Sequence, residues 1–417
     1  MQKHTIGPGV TLYHLPFEHF KTVSIRVYFH QPLSEKTATV NALLPNVLMR
    51  GCRTYPTTRA LNLYLEELYG ATADAFVSKR GEDQITCFAA SGIADAYVPE
   101  QEGLVQKVAT VLHDLILDPL MVDGAFNDDY VRQEKKGLKE GLLARINDKR
   151  SYATDRCVEE MCKNDPYAVY EGGDAEQVEG ITNEDLVAAY HRLFEGPVTI
   201  FVTGKADVLP ICELFSDLKG KELPYPVGGC FIPAEEPKTV VESMDVTQGK
   251  LVMGFSTGVL GKSNEFVHLM VANSVFGSGP HSKLFKNVRE KLSLAYYAYS
   301  RTDRIKGLMM VGAGIEFSKF DAAREEILKQ LESVQKGEIT EEELFSAKKA
   351  LTSALLAMKD SPAQSVSWTL GNILSDSAGT AEERIREINA VTVEEIVAVF
   401  QKVRLQTTYF LNGKEAQ

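Results

Sequence analysis

Cysteine is scarce in this chain, and its spacing carries no metal or disulfide signature. Six cysteines lie in apolar stretches, and none of them belongs to a Cys-x-x-Cys pair. Zinc knuckles and disulfide-stapled folds both need cysteines at short, repeated spacings. We therefore expect reduced thiols, several of them filling a core, at Cys52, Cys87, Cys157, Cys162, Cys212 and Cys230.

Positive charge is also in deficit. The chain has 45 Lys and Arg against 57 Asp and Glu, a formal net charge of -12. A protein that binds phosphate backbones needs a concentrated basic face, and every Lys/Arg cluster here has acidic neighbours. The composition therefore argues against a nucleic-acid partner, and the excess negative charge favours solubility.

Long apolar segments are missing as well. No run of eighteen apolar residues occurs, and the amino terminus lacks the apolar core of a signal peptide. We expect a protein that stays in the cytoplasm and does not bind membranes.

The length of 417 residues exceeds what one ordinary core supports and suits two domains. One segment, Leu223–Pro237, carries four prolines and two glycines. This composition is typical of an interdomain linker. The predicted division is a first domain over residues 1–222, a linker over 223–237 and a second domain over 238–417.

Apolar periodicity predicts alternating strands and helices in both halves. In the first half it predicts strands at 9–14 and 22–29 joined by a turn at Pro16, helices at 36–48 and 57–70, strands at 72–77 and 84–90, a mostly helical run from Gln101 to Asn164, a helix from Ile181 and a strand at 197–204. In the second half it predicts a strand at 251–257, a helix at 265–276, strands at 295–302 and 308–315, and then long helices.

The two halves end on the same pattern. Four residues recur at a constant offset of 210: Thr182, Glu184, Val187 and Ala188 correspond to Thr392, Glu394, Val397 and Ala398, and Gly204-Lys205 recurs as Gly413-Lys414 after one deletion. A helix-strand module shared by both halves indicates a duplication. The sequence therefore predicts two homologous α+β domains.

The stretch from Ser282 to Tyr296 changes from helical to strand-like spacing within a few residues. Arg289 falls near the end of the helix and Tyr296 at the start of the strand. A guanidinium and a phenol on such a corner are suited to gripping the carbonyls or carboxylates of a peptide. The alternative is an ordinary packing corner with a surface arginine.

The motif Ser-x-Leu-Phe-x-x-x-Arg-Glu-x-x-x-Leu-Ala-Tyr in this stretch resembles the second-half signature of the insulinase-like zinc metallopeptidases, which include pitrilysin, insulysin and the mitochondrial processing peptidases. In that family an Arg and a Tyr seven residues apart grip the substrate, and Arg289 and Tyr296 match them. The resemblance implies an α+β fold of two homologous domains, each a mainly antiparallel sheet packed against helices, facing each other around a chamber.

Compared with that family, this sequence lacks the zinc-binding motif. The family binds zinc through His-x-x-Glu-His on the first long helix, because two His one turn apart share the ion while the Glu activates water. Aligning the family's following glycine with Gly51 places Ala42, Pro45 and Asn46 at those three positions. Ala and Pro can neither coordinate zinc nor accept a proton, so we expect no metal and no cofactor.

Two other places for a metal are unconvincing. His14 and His19 are five residues apart with a proline between them, which fits a loop better than a helix presenting both rings to one ion. Glu134 and Glu140 lie where the family's third ligand resides, but they are six residues apart where the family has seven, and Gly141 occupies the seventh position. Both glutamates are more typical of a solvated helix face.

These features favour a non-catalytic, peptide-binding subunit of a two-chain zinc metallopeptidase. A zinc-bearing family member is the expected heterodimer partner, a homodimer is expected when the chain is isolated, and the substrate is a peptide or unfolded polypeptide. Two alternatives stay open: a structural or scaffolding pseudopeptidase without a role in proteolysis, and an enzyme with an unrecognised active site.

Overall fold

The computed structural model describes residues 1–98 and 103–414. The strands are β1 Gln2–Gly7, β2 Val10–Leu15, β3 Thr22–Pro32, β4 Thr72–Arg80, β5 Asp83–Ile93, β6 Met121–Val122, β7 Ala125–Phe126, β8 Val198–Thr203, β9 Lys238–Met244, β10 Gly249–Ser256, β11 Ala295–Asp303, β12 Leu308–Ile315 and β13 Arg404–Gly413. The α-helices are α1 Ala38–Leu48, α2 Thr58–Glu67, α3 Leu104–Leu117, α4 Asp128–Ala144, α5 Lys149–Met161, α6 Asn183–Leu193, α7 Leu209–Leu214, α8 Glu265–Phe276, α9 Phe320–Gln335, α10 Glu341–Ala357, α11 Pro362–Leu374, α12 Ala381–Ala390 and α13 Val393–Phe400. A π-helix spans Leu284–Lys291.

The chain folds into two units that each build a core on one sheet. The first unit comprises the residues up to Ala144 and the segment Val169–Val227. Its sheet has the order β1-β2-β8-β3-β5-β4, in which only β2 and β8 run parallel. Apolar side chains of this sheet and of the helices form one continuous buried cluster.

The second unit repeats this topology. It comprises Arg145–Ala168 and the chain from Gly228 onward, and its sheet has the order β11-β12-β10-β13-β9. Here β13 and β9 are the parallel pair, while the other pairs are antiparallel. Matching β9 to β2, β10 to β3 and β13 to β8 reproduces the order of the first sheet, with β1 as an addition. The predicted duplication is confirmed.

The module that ends both halves begins with the same helix cap. The Thr182 hydroxyl accepts from the backbone N–H of Asp185, whose carboxylate accepts from the N–H of Thr182. Thr392 and Glu395 form the same reciprocal cap at α13. Such a capping box satisfies two backbone donors that a helix start leaves free. The repeated residues therefore place corresponding helices at corresponding points of the two sheets.

The fold class is confirmed: each unit is a mainly antiparallel sheet packed against helices. The strands predicted at 9–14 and 22–29 are β2 and β3, but they do not form a hairpin, because β8 lies between them and pairs with both. The predicted helical run from Gln101 starts outside the described residues. From Leu104 it resolves into α3, α4 and α5, with the small hairpin of β6 and β7 after the predicted break near Pro119.

Residues 145–168 belong to the second unit although the chain returns to the first unit after them. Helix α5 packs on β10 and β13, and its Ala153, Cys157 and Met161 join a buried cluster with Tyr409. The predicted domains, 1–222 and 238–417, are each continuous in the sequence. They therefore do not account for the crossing of residues 145–168 into the second unit. An apolar helix face does not reveal in the sequence which of two sheets it covers.

The predicted linker changes unit between Val227 and Gly228. Leu223–Val227 packs with the first unit, where the Tyr225 hydroxyl lies 3.1 Å from that of Thr199. The following segment is tied to the second unit, because the N–H of Phe231 donates to the carbonyl of Lys306 at 2.9 Å. Among the described helices, none is long and apolar enough to cross a bilayer.

Candidate functional site

The π-helix Leu284–Lys291 holds Arg289 on the surface of the second unit. Leu284 and Val288 are fully buried and anchor the inner face of the helix, so the next residue, Arg289, points outward and is exposed. Its guanidinium lies over the ring of Phe285, 4.4 Å from the ring centroid. This π-contact limits the arginine's rotamers while leaving its N–H donors free. π-Helical turns are rare and often occur at functional sites.

A tight corner joins this helix to β11. The N–H of Leu292 donates to the carbonyl of Asn287 and the N–H of Leu294 to that of Val288, at 3.1 and 2.9 Å. Ser293 then takes a φ of 49°, a left-handed conformation that side chains other than glycine seldom adopt. The Lys319 ammonium donates to the Ser293 carbonyl at 3.1 Å and ties down the corner. The sequence predicted this change of element correctly.

Tyr296 is the extra residue of a β-bulge at the start of β11. Ala295 pairs with Ile315 and Tyr297 pairs with Gly314, so Tyr296 has no partner on β12. A bulge re-aims the side chain of its unpaired residue. Tyr296 is accordingly 60% exposed, whereas Ala295 is buried.

Arg289 and Tyr296 share a further property. Within residues 1–98 and 103–414, neither the guanidinium nor the phenol makes a hydrogen bond or ion pair to the protein. Both groups are therefore available to a ligand: one offers a planar charged donor fork and the other a hydroxyl. The structure places them on adjoining elements at one edge of the second sheet.

Sequence reasoning missed the aromatic surface beside this corner. The guanidinium of Arg150, from α5, lies over the rings of both Tyr297 and Tyr299, 4.7 and 4.2 Å from their centroids. The two rings cover Gly312 and Gly314, where an added Cβ would approach ring atoms to 2.7 and 2.4 Å. Burial and the neighbouring Tyr299 raise the pKa of Tyr297 to about 12. Two alternating glycines opposite two alternating tyrosines are the signal that could have predicted this packing.

The three positions of the degenerate zinc motif lie on α1. Ala42 and Pro45 are buried and Asn46 is half-buried. The Asn46 side-chain amide reaches back to the carbonyl of Ala42 at 3.5 Å. A methyl group and a pyrrolidine ring offer no lone pair to a cation, so this face of α1 supplies one amide where a zinc site needs two imidazoles.

Helix α4 packs against α1 and carries the downstream glutamates. Glu134 is not on a solvated face as predicted: it is partly buried, and its carboxylate accepts from the Arg50 guanidinium at 3.2 Å. Burial raises the pKa of Glu134, and the nearby Arg50 partly opposes that rise. Glu140 does lie on the exposed face, 3.9 Å from Lys136.

His14 and His19 are held apart by their elements. His14 is buried in β2, where its Nε2 lies 3.0 Å from the carbonyl of Gly204, while His19 is exposed in the loop that follows. In the part of the chain that the structure describes, no group of three or more His, Cys, Asp and Glu side chains is arranged to hold a metal ion.

Comparisons with known proteins agree with this geometry. The sequence profile of the Peptidase M16 inactive domain matches residues 180–351. The chain is 35% identical over 416 residues to the Bacillus subtilis protein named probable inactive metalloprotease YmfF, covering 98% of this chain and 96% of that one. It is 22% identical to the B. subtilis protein named uncharacterized zinc protease YmxG, over 90% of this chain and 89% of the relative.

A solved structure extends the likeness to the whole fold. The crystal structure of a conserved protein from Enterococcus faecalis superposes with a TM-score of 0.91 at 29% sequence identity, covering 100% of this chain and 99% of that one. Identity over nearly the full length of YmfF, the duplicated topology and the Arg/Tyr signature together establish that the chain belongs to the insulinase-like M16 family of peptidases.

Proposed function

We propose that this chain is a non-catalytic, peptide-binding subunit of a two-chain zinc metallopeptidase. It supplies Arg289 and Tyr296 to the substrate, and a zinc-bearing member of the same family supplies the metal. The observation that carries the proposal is the pairing of two features. The π-helix and the β-bulge present two ligand-ready side chains, while the zinc positions hold Ala42, Pro45 and Asn46.

The two side chains orient the substrate. Arg289 donates charge-assisted hydrogen bonds to one or two peptide carbonyls, and the Tyr296 hydroxyl adds another bond along the same extended segment. Fixing a peptide in this way raises the fraction of encounters in which the scissile carbonyl faces the partner's attacking water. This chain moves no proton and forms no covalent bond in the reaction.

An extended peptide also needs partners for its own backbone. β4 is an edge strand of the first sheet, paired through β5 alone, and its Thr72, Asp74 and Phe76 side chains are exposed. A peptide that adds to such an edge satisfies its backbone N–H and C=O groups whatever its sequence. We propose this edge of the first unit as a separate place where an unfolded polypeptide adds as a strand.

The curated relatives support a two-chain arrangement. B. subtilis strain 168 has one relative named probable inactive and another named zinc protease, and each matches this chain over most of its length. One cell can therefore contain both kinds of subunit. We propose that the isolated chain forms a homodimer, that the heterodimer is the active species, and that both operate in the cytoplasm.

The test is reconstitution. The purified chain is mixed with a purified zinc-bearing relative such as YmxG, and cleavage of a fluorogenic peptide is followed together with size-exclusion chromatography. We expect no cleavage by this chain alone, a stable mixed complex, and more cleavage by the complex than by the relative alone. A complex that forms without any gain in cleavage would favour a scaffolding role.

A further inference from the structure

Cations and phenols gather on one face of the second sheet, beside the bulge that presents Tyr296. Tyr297 of β11 pairs with Gly314 of β12, which in turn pairs with Lys250 of β10. Residues that stand directly opposite each other on neighbouring strands share one face of a sheet. Gly314 leaves the position between Tyr297 and Lys250 without a side chain, and the Tyr297 ring lies over it.

The next row along these strands repeats the arrangement. Tyr299 pairs with Gly312, where an added Cβ would approach the Tyr299 hydroxyl oxygen to 2.8 Å. The centroids of the two tyrosine rings lie 6.0 Å apart. The Arg150 guanidinium covers both rings, 4.7 and 4.2 Å from their centroids, and the Lys250 ammonium lies 5.8 Å from the Tyr297 centroid. These four side chains of the second unit form the cation-tyrosine cluster: Arg150, Lys250, Tyr297 and Tyr299.

The cation-tyrosine cluster contains more hydrogen-bond donors than acceptors. The Lys250 ammonium donates to the side-chain oxygen of Gln248. Within residues 1–98 and 103–414, neither cation forms an ion pair, and the Arg150 guanidinium and the hydroxyls of Tyr297 and Tyr299 make no hydrogen bond. Burial and the neighbouring Arg150 lower the pKa of Lys250, as expected for a cation that lacks an acidic partner.

An acid adjoins this cluster but serves another purpose. Asp148 is the N-cap of α5, and its carboxylate accepts from the N–H groups of Arg150 and Ser151 at 3.1 and 3.2 Å. It also accepts from the Ser151 hydroxyl at 2.7 Å, and the bonds from Ser151 lower the pKa of Asp148. These bonds hold the carboxylate at the start of the helix. The N–H groups of the Arg150 guanidinium therefore stay available to an external anion.

The β-bulge places the cluster next to Tyr296. Ala295 and Ala298 both belong to the buried core of the second unit. Tyr296 and Tyr297 lie between them and together oppose the single residue Gly314, as the two residues of a bulge do. An extended peptide advances about 3.3 Å per residue. A peptide that is held at Tyr296 therefore has its next side chains close to the cluster.

We propose that the cation-tyrosine cluster binds the side-chain carboxylate of an acidic residue in the peptide, so that this subunit selects acidic substrates. Arg150 offers a carboxylate its planar donor fork, the hydroxyls of Tyr297 and Tyr299 donate further hydrogen bonds, and Lys250 adds positive charge. Stacking on the rings orders Arg150 before the ligand arrives, which lowers the entropy lost on binding. This selectivity rests on the proposed function, in which the π-helix and the bulge hold the peptide backbone.

The test is the binding of two capped peptides to the full, isolated chain, followed by fluorescence anisotropy. One peptide, about eight residues long, alternates Ala and Glu, and the other alternates Ala and Gln. Alternate side chains of an extended peptide lie on one face, so the carboxylates meet the cluster in several registers. Acetyl and amide caps remove the terminal charges. The two peptides therefore differ only in their side-chain charge.

We expect the Glu peptide to bind about tenfold more tightly than the Gln peptide, or better, in about 50 mM salt. The ratio of the two affinities should shrink in about 500 mM salt, because salt screens the charges of the exposed groups. Equal affinity for the two peptides overturns the proposal. Absence of binding by the Glu peptide overturns it as well.

Variants locate the site. Arg150→Met should weaken the Glu peptide about tenfold and leave the Gln peptide nearly unchanged, and Lys250→Met should act in the same direction. Lys329→Met removes an ammonium that is 74% exposed on α9 and makes the same change in net charge, so it should bind both peptides like the unaltered chain. Melting curves confirm that each variant is folded, and the two peptides on the unaltered chain keep the test valid if Arg150→Met does not fold. A folded Arg150→Met variant that keeps the full preference for Glu contradicts the proposal.

Arg289→Ala separates this selectivity from the proposed function. It should weaken both peptides by a similar factor, because Arg289 donates to backbone carbonyls. If Arg289→Ala binds both peptides like the unaltered chain while Arg150→Met loses only the Glu peptide, the acid site stands and the grip by Arg289 fails. If Arg289→Ala weakens both peptides while Arg150→Met changes neither, the grip stands and the acid site fails.

Discussion

The guanidinium of Arg50 lies 3.2 Å from the carboxylate of Glu134 and joins the end of α1 to α4. Arg50 also donates to Gln133 at 2.7 Å and covers the ring of Tyr130 at 4.8 Å. These are the two helices on which zinc-bearing relatives are expected to carry their ligands. In a zinc site, a carboxylate at this place would bind the ion. Here the Glu134 carboxylate is instead paired with the positive charge of Arg50.

The first prediction concerns the metal. The chain, purified without chelators, should contain far less than one zinc per molecule by elemental analysis, because Ala42 and Pro45 offer no ligand and Glu134 is paired with Arg50. A zinc-bearing relative purified in parallel serves as the control. One tightly held zinc per chain, lost together with a peptidase activity on chelation, is the contrary result.

The second prediction concerns pH. In Arg50→Met the Glu134 carboxylate loses its cation, so its pKa, already raised by burial, should rise further. Above that pKa the ionised group is left partly buried and unpaired, at a cost of about 1–3 kcal/mol in unfolding free energy. Below the ordinary pKa of a glutamate the group is protonated in both folded and unfolded chains, and the cost disappears.

Denaturant unfolding at about pH 7 and about pH 4 measures this difference. The loss caused by Arg50→Met should shrink as the pH falls. The double variant Arg50→Met with Glu134→Gln has no carboxylate at position 134 that could be left without a cation. The difference in unfolding free energy between this double variant and Glu134→Gln should therefore not change with pH in this way. An equal loss at both pH values would mean that Arg50 acts through packing alone.

The third prediction separates ligand binding from folding. Tyr296→Phe should change the unfolding free energy by less than about 0.5 kcal/mol, because its phenol is exposed and makes no bond within the described chain. Tyr409→Phe is the matched change at a buried phenol, which donates to Glu242 at 2.6 Å. It should cost about 1–3 kcal/mol. Similar losses for both variants would show that Tyr296 has a structural role.

The fourth prediction concerns the crossing segment. If a protease site is inserted in Leu223–Pro237 and cut, the two fragments should stay together on size-exclusion chromatography. The amino-terminal fragment carries α5, whose Ala153, Cys157 and Met161 are buried in the second unit, and exposing them would lose about 25 cal/mol per Å² of apolar surface. Cys157→Asp should weaken the association. Two folded fragments that elute separately would contradict the assignment of α5.

Local patterns in the sequence were sufficient for much of this fold. Alternating apolar residues predict β3 because one face of that strand meets a core, and a short, continuously apolar run predicts the fully buried β12. Thr182 and Thr392 predict helix starts because their hydroxyls replace missing backbone partners. The residues that recur at an offset of 210 revealed the duplication, because similar sequences adopt similar local structure.

What the sequence could not predict depends on contacts between distant segments. Tyr296 has a residue type suited to a strand, and only its pairing with β12 shows it to be the extra residue of a bulge. Likewise, nothing near Glu134 in the chain announces that Arg50, 84 residues away, will neutralise it. The buried oxygens of Gln31 and Asn41 belong to residues typical of surfaces, and their burial follows from the assembled sheet and α1.

The most direct test of the central claim is the activity of the reconstituted two-chain complex with altered Arg289 or Tyr296. Each lost hydrogen bond to the substrate should cost about ten- to a hundredfold in kcat/KM. Arg289→Ala and Tyr296→Phe should show this loss without altered complex formation. The matched changes Arg301→Ala and Tyr69→Phe, at other exposed positions, should leave activity unchanged. Full activity of both Arg289→Ala and Tyr296→Phe complexes would contradict the account and leave the corner as a packing feature of a scaffold.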